Sequence, residues 1–140
     1  MHESTWIERY IVPLVSAPGA DRLRDDVAVL STSGIMIATM DTLVEGRHFL
    51  PGSDPESLGH KALAVNLSDI AAMAGTPRFA LVSVALPRKS EDADLAEELF
   101  AGLHSTATSF GAAIVGGDTT TWNGPLVVNV SIFGDTHPKG

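Results

Sequence analysis

The stretch DPESLGHKALAVNLSDIAAMAG, residues 54–75, contains the start, body and stop signals of one long helix. Asp54 is a typical N-cap residue, and Pro55 is tolerated at the first helical position. Gly75 predicts that the helix ends near Ala74, because glycine favours the residue just after a helix. The segments on either side of this helix then decide the fold class.

Patterns on both sides of the central helix predict seven further elements. An amphipathic segment at 5–15 predicts a short helix, and leucines at four-residue spacing predict another at 92–110. Strands are predicted at 26–30, 35–41, 79–86, 112–115 and 126–133. The first two strands are joined by a loop with hairpin chemistry and are expected to be antiparallel neighbours. The order α β β α β α β β predicts an α+β fold, with a mostly antiparallel or mixed sheet of four to five strands and helices on one face.

The composition excludes several classes of protein. The chain has 140 residues, a hydrophobic fraction of 44%, no cysteine and a formal net charge of −8. This size predicts one domain with a genuine core, and the lack of cysteine excludes disulfides and thiolate sites and favours the cytoplasm. The negative net charge argues against binding of nucleic acid, and no apolar run reaches the roughly 18 residues of a membrane span. A phosphate ligand, if there is one, would need a cation.

Four aspartates are the first candidates for chemistry. Asp26 begins a predicted strand, Asp41 ends one, Asp118 follows a predicted Gly-Gly turn, and Asp69 lies in the central helix. Carboxylates at element ends can bind Mg²⁺, which takes oxygen ligands from proteins and from phosphates. The three junction aspartates could equally be turn, cap or solvated residues. The residues alone leave both interpretations open.

Asp69 is the hardest of these to explain as a surface charge. Its neighbours along the helix are apolar or small and are expected to be buried, and Asn66 lies three residues earlier on the same face. A buried carboxylate must be paired or bind a metal. Lys61, two turns away, is the alternative structural partner. The pattern therefore predicts a metal or polar-network role, or a pairing with Lys61.

His48 lies in the stretch EGRHF, residues 45–49, just after a predicted strand. It could be a ligand, a proton donor or a substrate hydrogen-bonder, or have none of these roles. No two histidines have metal-binding spacing, which argues against zinc. The sequence has no nucleophile elbow, P-loop or dinucleotide fingerprint. We assign no residue as nucleophile or base, and any nucleotide is bound in another way.

Four motifs follow one another in a fixed order, DDVAVL at 25–30, DTLVEGRHF at 41–49, HKALAVNLSD at 60–69 and GGDTT at 116–120. Together they resemble the thiamine-monophosphate kinase family. The resemblance implies the N-terminal domain of an aminoimidazole ribonucleotide synthetase-like fold. It also implies that two copies pair their sheets into a barrel, with active sites along the interface of a homodimer.

The same resemblance implies transfer of the γ-phosphoryl group of ATP to thiamine phosphate, which gives thiamine diphosphate. It implies that several Mg²⁺ ions are bound by Asp26, Thr39, Asp41, Asp69 and Asp118. Gly117 and Asp118 would contact ATP, and His48 would contact thiamine phosphate. Phosphoryl transfer depends on positioning and charge neutralisation, which metals held by aspartates supply.

Departures from the family pattern keep two other functions open. Arg22 and Arg24 stand where the family has glycines, and Met40 stands where it has threonine. The family chain also continues into a second domain, which is expected to be absent from residues 1–140, a single N-terminal domain that binds ATP and Mg²⁺. The alternatives are a non-catalytic dimerisation or regulatory module, and another ATP-using enzyme of the superfamily with a different acceptor.

Overall fold

The computed structural model describes residues 30, 34–88 and 93–136, which form six elements. The strands are β1 (Met36–Val44), β2 (Gly75–Pro87), β3 (Ala113–Trp122) and β4 (Val127–Thr136), and the helices are α1 (Pro55–Ala72) and α2 (Ala93–Ser109). The helix predicted at 5–15 and the strand predicted at 26–30, apart from Leu30, lie outside the described residues. Neither α1 nor α2 is long and apolar enough to cross a membrane.

The four strands form one mixed sheet in the order β1-β4-β2-β3. β4 pairs antiparallel with β1 and β2, whereas β2 and β3 pair in parallel and are connected through α2. Consequently β1, β2 and β3 run in the same direction, and their carboxyl ends lie at one end of the sheet. The predicted α+β class with a mixed four-stranded sheet is confirmed.

One face of the sheet carries the core and both helices, and we call it the helix face. Side chains alternate between the faces along a strand. The row Leu43, Val128, Val84 and Thr119 crosses all four strands, and each member is buried. Buried side chains of α1 and α2, such as Leu63, belong to the same cluster. The row one residue earlier or later on each strand therefore lies on the opposite face, which we call the far face.

The helices α1 and α2 cross at two glycines. A Cβ atom at Gly102 would lie 2.9 Å from the carbonyl carbon of Glu56, and one at Gly59 would lie 2.8 Å from the amide nitrogen of Leu103. Real Cβ atoms do not approach backbone this closely, so the crossing requires residues without a side chain. The crossing fixes the place of α1 above the sheet, and α1 carries Asp69.

The end of α1 differs from the prediction. The helix ends at Ala72, and the left-handed residue that follows it is Ala74, with φ of 56°. Gly75 already belongs to β2. A Cβ atom there would lie 3.2 Å from Cγ2 of Ile70. The glycine thus allows a close approach of strand and helix and is not the helix stop.

All four strands are longer than predicted, and in β1 and β3 this moves two candidate residues. β1 continues to Val44, so Asp41 lies inside the strand and not at its end. The turn predicted at 116–119 is wrong, because these residues belong to β3 and pair with β2. Pairing between strands thus overrides the local turn preference of two consecutive glycines.

Candidate functional site

Asp69 and Thr39 meet on the helix face at the β1 edge of the sheet. The hydroxyl of Thr39 donates a hydrogen bond to Oδ2 of Asp69 at 3.3 Å and joins β1 to α1. Asp69 is exposed, so the expectation of a buried carboxylate is wrong; β1 is an edge strand, and α1 is open to solvent there. Lys61 does not pair with Asp69, since its ammonium binds the carbonyl oxygen of His48. Two oxygen-bearing side chains are thereby brought together at an accessible position.

Asp41 and Asn66 flank this pair. Asp41 follows Thr39 by two residues on the same face of β1, about 7 Å along the strand. Asn66 is fully buried, and its amide donates to the carbonyl of Val130 at 3.1 Å. Its Oδ1 has no hydrogen-bond partner among the described residues. Because Val130 is the cross-strand partner of Asp41, Asn66 ties α1 to β4 beside the candidate carboxylates.

Asp118 lies apart from these residues, on the far face. It belongs to the row Thr42, Asn129, Ser83 and Asp118, which crosses the sheet from β1 to β3. The Asn129 amide donates to the Thr42 hydroxyl at 2.7 Å. Gly117 precedes Asp118 with φ of 150°, a backbone conformation that favours glycine. Both candidate ATP residues therefore lie on the edge strand β3, and both are exposed.

The candidate carboxylates occupy opposite edges of the sheet. Three strand spacings of about 4.8 Å separate β1 from β3, about 14 Å in all. That separation is too large for one ion to bind Asp41 and Asp118 of the same chain. Within residues 34–88 and 93–136, no three His, Cys, Asp or Glu side chains are close enough together to hold a metal ion. Asp26, the remaining predicted ligand, lies outside the described residues.

His48 lies in a tight turn between β1 and α1, residues 45–49, which we call the His48 turn. The first amide of this turn donates to the carbonyl of Leu126 at 2.9 Å. Nδ1 of His48 accepts the amide of Val44 at 3.0 Å, and the His48 carbonyl accepts Nζ of Lys61 at 3.0 Å. These contacts hold the turn against β4 and α1. Sequence reasoning missed Lys61 here, because 13 residues separate it from His48 with no local pattern between them.

Comparison with protein families adds to this geometry. The family described as AIR synthase related protein, N-terminal domain, matches residues 24–136. This chain belongs to that family. The match includes every described strand and helix. It therefore includes the four implied metal ligands on β1, α1 and β3, which are Thr39, Asp41, Asp69 and Asp118. It also confirms the resemblance inferred from the four motifs.

This chain is similar to several thiamine-monophosphate kinases. That of Bacillus subtilis (strain 168) is 42% identical over 114 residues, which are 79% of this chain and 35% of that protein. The solved thiamine-monophosphate kinase of Stenotrophomonas maltophilia K279a is 38% identical, with a TM-score of 0.71 over 79% of this chain and 34% of that one. AaThiL complexed with AMPPCP and TMP is 32% identical, with a TM-score of 0.67 over 71% and 31% of the two chains. The present chain spans about a third of the length of these relatives.

Proposed function

We propose that this chain is the nucleotide- and Mg²⁺-binding N-terminal part of a kinase. The kinase transfers the γ-phosphoryl group of ATP to an oxygen of thiamine phosphate, which releases ADP and thiamine diphosphate. The contact between Thr39 and Asp69 carries the proposal, because it brings together, across β1 and α1, two of the residues that the family resemblance implies as metal ligands. The identity of 42% to the Bacillus subtilis kinase supports thiamine phosphate as the acceptor, and AMPPCP in AaThiL supports ATP as the donor.

The residues at the β1 edge suit Mg²⁺. Thr39 and Asp69 offer only oxygen atoms, and the two oxygens lie 3.3 Å apart. Adjacent ligands of an octahedral Mg²⁺ ion lie about 3 Å apart, since each is about 2.1 Å from the metal. When bound, Mg²⁺ neutralises phosphate charge and orients the phosphates. In this proposal Thr39, Asp41 and Asp69 bind and orient Mg²⁺, and no side chain acts as nucleophile.

We also propose that a complete site needs two copies of the chain. Asp69 lies near the β1 edge and Asp118 on the β3 edge, about 14 Å away across the sheet. A homodimer that pairs the far faces into a barrel would bring the β3 edge of one copy to the β1 edge of the other. A two-fold axis would generate two such sites. A cysteine-free, ATP-using chain of this kind fits a cytoplasmic location.

Mixing two defective variants tests the shared site. Asp69→Asn and Asp118→Asn should each lose Mg²⁺-dependent binding of AMPPCP in equilibrium dialysis. When the two variants are unfolded and refolded together, half of the dimers are mixed and one of their two sites is intact, so about a quarter of the wild-type capacity should return. Glu97→Gln, at an exposed position on α2, should bind normally. Mixed samples that bind nothing would contradict the shared site.

Product analysis tests the reaction and its acceptor. The chain is incubated with ATP, Mg²⁺ and either thiamine phosphate or thiamine, and thiamine diphosphate is measured by chromatography. We expect thiamine diphosphate to form when the acceptor is thiamine phosphate, and not when the acceptor is thiamine. The second candidate function, a non-catalytic dimerisation module, is favoured by Met40, an apolar residue 65% exposed beside the candidate ligands. Formation of thiamine diphosphate by this chain would exclude that module.

A further inference from the structure

Trp122 at the end of β3 is held in one orientation by the loop that follows it. Its indole Nε1–H donates to the carbonyl oxygen of Pro125 at 2.9 Å. Its own carbonyl oxygen accepts the amide of Arg88 at 2.7 Å, which joins the end of β3 to the end of β2. The backbone and the side chain of Trp122 are therefore both restrained before any ligand binds.

Gly124 covers one face of the indole. A Cβ atom at Gly124 would lie 2.6 Å from Cζ2, 2.7 Å from Cε2 and 2.8 Å from Cη2 of the Trp122 ring. These three atoms are bonded in sequence, and an approach from the ring edge would place the outer two much farther away than the middle one. The nearly equal distances show that Gly124 lies over the face of the ring. Trp122 is nevertheless 41% exposed, so its other face is open to solvent.

The open face of Trp122 lies at the end of the sheet where β1, β2 and β3 finish. Trp122 follows Asp118 by four residues on β3, so both side chains belong to the far face, about 13 Å apart along the strand. The loop after Trp122 leads to Leu126, whose carbonyl oxygen accepts the first amide of the His48 turn at 2.9 Å. Trp122 thus shares a strand and a face with a candidate ATP residue, and its loop contacts a second part of the candidate site.

A fixed and open indole face suits a flat, positively charged ring. Flat rings stack favourably on tryptophan, and indole is the aromatic side chain that attracts cations most strongly. The thiazolium ring of thiamine phosphate carries a permanent positive charge, whereas the adenine of ATP is neutral at pH 7. Because Gly124 and Pro125 already hold the indole, it loses little conformational freedom when a ring binds.

We propose that the open face of Trp122 stacks against the thiazolium ring of the acceptor and makes Trp122 a specificity-determining residue. The identity of the acceptor as thiamine phosphate rests on the proposed function, whereas the preference for a flat cationic ring follows from the indole itself. Stacking orients the acceptor through its ring and leaves its phosphate free to meet the nucleotide. It selects acceptors that keep the ring charge and contributes nothing to ATP binding.

Fluorescence of Trp122 in the 140-residue chain tests this proposal. Trp6→Phe leaves Trp122 as the sole tryptophan, because the chain has two. We expect thiamine phosphate and thiamine to quench this fluorescence, and inorganic phosphate and Mg²⁺-AMPPCP to leave it unchanged. A matched pair of ligands isolates the charge, since hydroxyethylthiazole phosphate has a neutral ring and its N-methyl derivative is a thiazolium. The charged member should bind about tenfold more tightly.

Two substitutions of Trp122 separate stacking from support of the loop. Trp122→Phe keeps a flat aromatic face and Trp122→Leu does not, while both lose the hydrogen bond to Pro125. Both variants should lose a similar amount of stability, but calorimetry should show binding of thiamine phosphate about tenfold weaker in Trp122→Leu than in Trp122→Phe. The affinity for AMPPCP should be the same in both. A merely structural role would weaken thiamine phosphate binding equally in the two variants and would overturn the proposal.

Three further results would contradict the stacking. These are Trp122 fluorescence that does not respond to thiamine phosphate, equal affinity for the neutral and charged thiazoles, and quenching by Mg²⁺-AMPPCP, which would assign the indole to adenine. The proposed function fails separately. A chain that binds no AMPPCP and forms no thiamine diphosphate, but whose Trp122 is quenched by thiamine, would keep the ring site without the kinase. Normal AMPPCP binding with an unresponsive Trp122 would count against the ring site alone.

Discussion

Substitution of Gly117 by alanine tests how closely β3 approaches β2. A Cβ atom at Gly117 would lie 2.7 Å from the carbonyl carbon and 2.9 Å from the amide nitrogen of Val82. The φ of 150° is also unfavourable for alanine. Both obstacles are backbone, so no side-chain rotation relieves them. Any relaxation must move β3, and with it Asp118.

The expected cost combines two contributions. Backbone strain at a conformation reserved for glycine costs about 1–3 kcal/mol. Forcing an extra carbon into a closed contact adds about 1–3 kcal/mol. The sum, about 4 kcal/mol, is a large part of the stability of about 5–15 kcal/mol expected for a domain. With a urea m-value of about 2 kcal/mol/M, the unfolding midpoint should fall by about 2 M.

Urea unfolding followed by tryptophan fluorescence measures this change. Gly111→Ala is the matched control, because Gly111 has φ of 74° but its Cβ atom would have nothing within 4 Å. Gly111→Ala introduces backbone strain without a steric clash, so its free energy of unfolding should fall by only about 1–2 kcal/mol. Equal midpoints for Gly117→Ala and Gly111→Ala would mean that β3 does not approach Val82 closely, and the assigned pairing of β2 with β3 would be wrong.

Three further substitutions test local features. Ala74→Gly should raise the free energy of unfolding by less than about 1 kcal/mol, because the left-handed strain of alanine exceeds the entropic cost of glycine; a lower melting temperature would contradict the assigned helix end. Hydrogen bonds from the amide and hydroxyl of Ser57 hold the pKa of Asp54 below its ordinary 3.8. The stability contributed by the Asp54 carboxylate is therefore complete above that pH and is lost as pH falls through the lowered pKa, so urea midpoints of Asp54→Asn should depend less on acid pH than those of the unaltered chain. Thr39→Val should weaken Mg²⁺-dependent binding of AMPPCP about tenfold with an unchanged circular dichroism spectrum, and unaltered affinity would remove Thr39 from the metal site.

Features set by neighbouring residues were predicted well. The start of α1 follows from Asp54 and Pro55, which act through the amide groups of a single turn, and the side chain of Asp54 accepts the amide of Ser57 as the pattern indicates. The end of α1 was not predicted, because Gly75 is needed where β2 passes Ile70. The contact that decides it joins separate elements, and local preferences do not report such contacts.

In the candidate site, too, local features are predicted and contacts between separate elements are not. The family resemblance selects Thr39 and Asp69 as residues of one site, and a hydrogen bond of 3.3 Å joins their side chains in the structure. The exposure of Asp69 and the placement of Asp118 on the other face depend on strand order and register. Two glycines before Asp118 indicate a turn when read alone, and only the partner strand β2 converts them into strand. The sequence therefore predicts the composition of the site better than its geometry.

The claim that this chain binds a metal-complexed nucleotide is decided by calorimetric titration with AMPPCP, carried out once with Mg²⁺ and once with EDTA. We predict that AMPPCP gives a heat of binding with Mg²⁺ and none with EDTA. We also predict that Asp118→Asn loses this binding and retains its secondary structure. A folded chain that binds no nucleotide at any Mg²⁺ concentration, or that binds equally well in EDTA, would contradict the account.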